Sequence, residues 1–252
     1  MSQYYEKGLK PFQRPNPEQA VNTWVEEVTE GAITNFLQPG AITADTVLML
    51  LNALFFEASW QTMFEARGTR SATFTTLSGA VKHVPMMTNE GEFSVKTLPE
   101  LDARVLELPY KGRRYSFFII LPKTKNGLTH LEGLLDGQIL ENVVAAMPRA
   151  NHFEVYVPKF TLRTHKGLKE PLQALGLKSM FEMSANFTGM ARVSGEKVTE
   201  TGTKAAAVTS VSYGSQSEAS VFRVDHPCLF VLRDKSDGIN IFMGRLTDPS
   251  QG

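Results

Sequence analysis

The sequence predicts a mixed α+β fold built mainly on β-sheet, and three observations carry that expectation. A helical period runs near the amino terminus, a ten-residue stretch from Val47 is apolar on both alternating faces, and from Ala72 onward short alternating segments are separated by turn residues. With 252 residues, 42% hydrophobic and 10% aromatic, the chain has apolar material for one sizeable core. A single domain over residues 1–252 is therefore expected.

From Asn16 to about Leu37 the residues Val21, Trp24, Val25, Val28, Ile33 and Phe36 recur mostly at three- and four-residue spacing. That spacing predicts one amphipathic helix, started by Asn16-Pro17-Glu18 and ended by Gln38-Pro39-Gly40, with Gly31 as a weak point inside it. The run from Val47 to Phe56 reads as a strand buried in the middle of a sheet, a short buried helix being the rival. Asn52 is the polar exception there and calls for a hydrogen-bonding network. Beyond Trp60, strands are expected at Ala72–Thr76, Lys82–Met87, Glu92–Lys96, Ala103–Pro109 and Tyr115–Leu121, with Lys111-Gly112-Arg113-Arg114 as a hairpin turn. Short helices are expected from Leu128 to Leu135 and from Leu168 to Leu177, and a strand from His152 to Pro158.

The carboxyl-terminal third changes character. Gly202 to Ser217 is a run of small and hydroxyl residues without bulky apolar anchors, followed by strands at Val221–Val224, Cys228–Arg233 and Ile239–Arg245. A segment of that length and composition buries too little surface to fix itself, so residues 202–220 are expected as an exposed, mobile loop.

Composition excludes several function classes. Lys plus Arg and Asp plus Glu both number 26, for zero formal net charge, so no whole-molecule field favours nucleic acid. No stretch reaches the roughly 18 consecutive apolar residues of a membrane span, and no membrane partner is expected. The single cysteine, Cys228, rules out an internal disulfide framework and reads as a buried, inert thiol within an apolar run. His83, His130, His152, His165 and His226 show no metal-ligand spacing, so no metal or other cofactor is expected. No GxSxG, GxxxxGK[ST] or strand-preceded GxGxxG motif occurs, and the chain is not expected to be an enzyme. The first residues, Met1 to Lys7, are polar and form no signal-peptide core. Asn186-Phe187-Thr188 would accept an N-glycan in a secretory chain.

Several blocks, in order along nearly the whole chain, resemble the serpin family. Trp24-Val25 with Thr29, Gly31 and Ile33 is similar to that family's WVxxxTxGxI helix. Leu51-Asn52-Ala53-Leu54-Phe55-Phe56 with Trp60 and Phe64 is similar to its LxNAxYFxxxWxxxF strand. Val84-Pro85-Met86-Met87, Tyr156-Val157-Pro158-Lys159-Phe160 with Leu168-Lys169-Glu170-Pro171-Leu172 and Leu175-Gly176, Asp225-His226-Pro227-Cys228-Leu229-Phe230, and Ile241-Phe242-Met243-Gly244-Arg245 resemble further blocks. The resemblance implies a large central sheet with smaller sheets and a few helices, and inhibition of a serine protease by a cleavable loop acting as suicide substrate. The protein would be a monomer whose partner is that protease. It would be extracellular if an upstream signal peptide exists and cytoplasmic otherwise.

The functional segment follows from the same resemblance. Gly202-Thr203-Lys204-Ala205-Ala206-Ala207 is similar to the hinge that lets a cut loop slide into the main sheet as an extra strand. Small residues suit that step because alternate side chains must enter a packed core; Lys204 fits if it faces solvent. Family spacing counted forward from Gly202 and back from Pro227 places the scissile bond at Gln216-Ser217, with Tyr213 as an alternative bait. Asn52 matches the polar network beneath the opening sheet (the shutter) and Trp60 the tryptophan at its upper end (the breach). Against the family pattern the chain starts near the first strand of the main sheet, so the fold is expected to be incomplete, lacking the amino-terminal helical block. The stretch from Met190 to Thr201 is shorter than the family's strand and holds no histidine. Those departures keep open a non-inhibitory or inactive serpin fragment, or a serpin-like binding protein.

Overall fold

The structure, a computed structural model, describes residues 15–43, 46, 49, 51, 56–161, 169–182 and 220–250. Contacts divide the chain into two units, Met1–Glu57 with Lys166–Gly202, and Ala58–His165 with Thr203–Gly252.

In the first unit the helical period is realised over a shorter span than expected. Helix α1 covers Pro17–Val28, with Pro17 at the first position, where the missing N–H has no intrahelical partner to lose. It stops at Thr29, whose hydroxyl donates to the Val25 carbonyl (2.6 Å), and Glu30 (φ 50°) and Gly31 (φ +81°) then turn left-handed. A left-handed pair ends the helix, so Ile33 and Phe36 are not on it, contrary to the reading from spacing alone. The returning chain is tied back by Asn22, which donates to the Leu37 carbonyl (2.9 Å) and accepts from its N–H (2.7 Å). Glu18 accepts from the N–H groups of Ile42 (2.9 Å) and Gly40 (3.0 Å), and these bonds, Ile42's foremost, hold its carboxyl below the ordinary value. The later short helix is α4, Lys169–Ala174, closed by Gly176 at φ +96°. The run from Val47 to Phe56 lies outside the described residues except at Met49, Leu51 and Phe56.

The second unit contains eight strands among its described residues. They are β1 (Arg70–Thr75), β2 (Val81–Leu98), β3 (Ala103–Pro109), β4 (Tyr115–Pro122), β5 (Asn151–Pro158), β6 (Ser220–Arg223), β7 (Cys228–Asp234) and β8 (Ile239–Leu246). Their order is β6-β5-β2-β3-β4-β7-β8, with β1 also on β2. Sequence spacing suggested two strands between Lys82 and Lys96, whereas β2 is continuous over 18 residues. The reason is tertiary. β5 pairs with β2 from Met86 to Phe93, straight through the expected break, and β3 takes over from Ser94 to Leu98. The long strand thereby belongs to two sheets, β1-β2-β5-β6 and β2-β3-β4-β7-β8.

Alternation along β3 and β4 explains how the layers stack. Leu106, Leu108, Ile119 and Leu121 point into one cluster with Phe74, Met86, Val155 and Phe222, between the sheets. Ala103, Val105, Phe118 and Ile120 point into the other, with Leu131 of α2 (Leu128–Leu134) and Leu140 and Val143 of α3 (Gly137–Ala145). Strands apolar on both faces are thus sandwiched between a sheet and a helical layer, each fully buried side chain contributing roughly 1.5–3 kcal/mol. Helix α3 was not read from the sequence, although Asp136 caps it by accepting from the Ile139 N–H (2.7 Å).

Charged groups near the β7–β8 turn are paired. Arg233, 5% exposed, donates to both carboxylate oxygens of Glu141 (2.7 and 2.5 Å) and to Asn240 (2.7 Å). Glu107 accepts from Ser116 and Lys235, both at 2.7 Å. Arg114 donates two hydrogen bonds to Asp234 (2.9 and 2.7 Å), holding that carboxyl below its ordinary range.

Two outcomes follow. A Cβ on Gly244 would meet the Phe230 ring at 2.5 Å, so Gly244→Ala is expected to lower unfolding stability by about 1–3 kcal/mol in urea titration; an unchanged midpoint contradicts the packing. Because its folded-state pKa is depressed, Asp234 contributes stability above the ordinary carboxylate range, lost as pH falls below about 4. Unfolding midpoints measured against pH should therefore drop less steeply in acid for Asp234→Asn than for the parent.

Candidate functional site

Two described features bear on the reading from the sequence: Trp60, and the strand β6, which follows residues 202–219 along the chain. The hinge Gly202-Thr203-Lys204-Ala205-Ala206-Ala207, the bond Gln216-Ser217, Tyr213, Asn186 and Asn52 lie outside the described residues.

Trp60 forms an isolated bridge with Tyr110 at the end of the β3–β4 hairpin, fastened by Gln61 N–H to the Pro109 carbonyl (2.8 Å) and Lys111 N–H to the Ser59 carbonyl (2.9 Å). Its indole stacks on the Tyr110 ring at 4.3 Å and meets Phe64 (6.3 Å) and Phe117 (6.1 Å) edge-on. Phe117 stacks on Phe230 (5.4 Å), and Phe230 tilts against Phe160 (6.0 Å). These distances suit attractive ring contacts, each adding roughly 0.5–1.5 kcal/mol beyond area burial. Burial pushes the Tyr110 phenol up to about 12, so it stays protonated at any physiological pH. Sequence reasoning found Trp60, Phe64, Phe160 and Phe230 in separate family-like blocks but singled out neither Tyr110 nor Phe117, because a ladder that crosses four chain segments leaves no local spacing to read.

β6 pairs in parallel with β5, Phe153↔Ser220 through Tyr156↔Arg223, and the Val224 N–H extends the pairing to the Tyr156 carbonyl (2.9 Å). Phe222 is fully buried, while Ser220, Val221 and Arg223 are exposed. The next residues turn a corner that is pinned at both sides. The Asp225 carbonyl accepts from the Thr75 N–H (2.8 Å), and His226, 6% exposed, places Nε2 on the Pro122 carbonyl (2.8 Å) and Nδ1 on the Asp225 carboxylate (2.6 Å). The hydrogen bond to His226 is the main reason that the Asp225 carboxyl lies below its ordinary value.

Cys228 starts β7, fully enclosed, and burial pushes its thiol up to about 12, which makes it a poor nucleophile. Among the described residues no three His, Cys, Asp or Glu side chains lie close enough to hold a metal ion. No described helix is long and apolar enough to cross a membrane. What the described geometry does supply is a sandwich of sheets and helices, with an aromatic ladder at one hairpin end and a short strand, β6, at the end of the strand order.

Replacing Trp60 removes the centre of the ladder. Trp60→Ala is expected to cost about 3 kcal/mol in equilibrium unfolding, and a loss below about 1 kcal/mol would show that the stacked rings are not coupled to the fold.

The family model described as Serpin (serine protease inhibitor) matches residues 1–249. Among similar proteins, Ovalbumin of Dromaius novaehollandiae is 32% identical over 241 residues, covering 91% of this chain and 62% of its own length. Serine protease inhibitor 42Dd of Drosophila melanogaster is 33% identical over 250 residues, covering 93% of this chain and 64% of its own. Serpin B4 of Homo sapiens is 30% identical over 268 residues, covering 99% and 69%. The crystal structure of uncleaved ovalbumin superposes with a TM-score of 0.78 at 26% identity, covering 92% of this chain and 66% of that one. The chain thus spans a little over three fifths of the length of the first two of these relatives.

Proposed function

Because the chain belongs to the serpin family, we propose that it inhibits a serine protease as a suicide substrate, offering the Gln216-Ser217 bond in the segment 202–219. The observation that carries this reading is the composition of that segment. Between Gly202 and Ser217 the chain holds small and hydroxyl residues almost throughout, where a connector of equal length has no need of them.

The chemistry belongs to the attacking protease. Its serine hydroxyl adds to the Gln216 carbonyl, the Gln216-Ser217 peptide bond breaks, and Ser217 leaves with a new α-amine while Gln216 remains bound as an ester. Water would normally release that ester. A trap requires the freed hinge, Gly202 to Ala207, to enter the main sheet first and carry the protease with it. Thr203, Ala205 and Ala207 fill alternate positions on such a strand, opposite to Lys204 and Ala206, so the lysine can face solvent while the others are buried. Gln216 is neither basic nor aromatic, which favours neither a trypsin-like nor a chymotrypsin-like enzyme, and Tyr213 offers the latter a second bond. The protein is proposed to act as a monomer, and outside the cell when an upstream signal peptide leads it.

A second reading, a serpin fold that is cut without trapping, is supported by the histidine-free stretch from Met190 to Thr201 and by Lys204 within the hinge.

Incubation with trypsin-, chymotrypsin- and elastase-like proteases separates the two. The inhibitory reading expects an SDS-stable adduct of the mass of protease plus residues 1–216; cleavage in the segment without any adduct overturns it. Gln216→Arg is expected to redirect the reaction to the trypsin-like enzyme, as followed by gel and mass spectrometry. Tyr213→Ala should abolish adduct formation only if Tyr213 is the bait.

A further inference from the structure

β6 is the shortest of the described strands. It has four residues, ends the strand order, and pairs with β5 alone in the parallel arrangement. Parallel pairing is slightly weaker per residue than antiparallel, and four residues give it little length over which to accumulate. Side chains must therefore supply part of what keeps this strand in place.

One contact comes from within the pair of strands. The Arg223 guanidinium lies 3.5 Å over the Tyr156 ring, and the Tyr156 hydroxyl donates to Glu154. The other comes from β3, which pairs with β2 and β4 and not with β6. Arg104 on β3 donates from Nη1 to the Val221 main-chain carbonyl at 3.1 Å, while its guanidinium carbon stands 5.0 Å from the centre of the Phe222 ring. Phe222 is itself completely buried in the cluster between the sheets. One planar group thus bonds the strand's backbone with its edge and covers its one buried side chain with its face.

We propose that Arg104 is a positioning residue that fixes β6 to the second sheet and so anchors the carboxyl-terminal end of the bait segment. The role rests on the proposed function in one respect, that residues 202–219 are the segment a protease engages. Any pull on that segment is delivered to Ser220, the first residue of β6. Within β6 the pairing to β5 resists the pull along one side, and Arg104 resists it from a different sheet. Arginine is suited to the task because its flat guanidinium donates in its plane and stacks through its face at once. The compact ammonium of lysine offers a single charged point instead.

Hydrogen–deuterium exchange on the uncut protein tests this without any protease. Arg104→Met keeps the stem volume and removes both contacts, and Arg104→Lys keeps the charge. Amides of residues 221–224 are expected to exchange about tenfold faster in Arg104→Met and by a smaller factor in Arg104→Lys, with β3 and β4 amides unchanged. Unchanged exchange at 221–224 in the variants overturns the proposal. Equal acceleration across β3, β4 and β6 also overturns it, since that is general loosening of the core. If Arg104→Met fails to fold, Arg104→Lys decides by the same comparison. A parent protein that forms no adduct with any protease defeats the inhibitory reading and leaves this result standing, whereas adduct formation with unchanged exchange defeats the role of Arg104 alone.

Discussion

Burial of β3 and β4 on both faces is the constraint on which the rest of the second unit depends. Leu106, Leu108, Ile119 and Leu121 need a second sheet above them, and Val105, Phe118 and Ile120 need a helical layer below. Neither set can be satisfied by the hairpin itself. That requirement keeps β2 running as one strand over 18 residues, because only a strand shared by both sheets brings β5 and β6 over the hairpin's upper face. It equally brings α2 and α3 onto the lower face, where Arg233 and Glu141 lock α3 to β7 through paired charge-assisted hydrogen bonds.

The candidate site inherits its geometry from this sandwich. Trp60 is held because Tyr110 lies at the end of the hairpin and Phe117 and Phe230 extend the stack into the core. Gly244 is needed where the Phe230 ring crosses β8 at a distance that leaves no room for a methyl group. β6 is a late and short addition to the upper sheet, and a single buried phenylalanine, an arginine from the other sheet and a stacked Arg223–Tyr156 pair make up for its length. The strand that follows the small-residue segment is thus held by contacts from both sheets.

Strand positions were legible in the sequence to within one or two residues for β3, β4, β5, β7 and β8, because alternation and turn residues report directly on backbone extension. β2 was not, since the pairing that carries it through Thr88 to Gly91 comes from residues more than fifty positions away. α1 was overextended because Ile33 and Phe36 keep a helical spacing after Glu30 and Gly31 have already turned left-handed. α3 was missed although Asp136 and the residues after it carry a start signal. For the site, family resemblance supplied Trp60, the His226-Pro227 corner and Phe230, while Tyr110, Phe117 and Arg104 act through contacts between distant segments that no local motif encodes.

The account's central claim is mechanical: a segment of small residues, once cut, gains stability by joining a sheet. Its most direct measurement is the melting temperature of the protein before and after a single cut between Gly202 and Ser220, with both fragments retained. The account predicts that the cut protein melts well above the intact one, since the freed strand adds main-chain hydrogen bonds and buried side chains. A melting temperature that is unchanged or lower after the cut would contradict it, and would leave the chain a serpin fold whose loop is only a substrate.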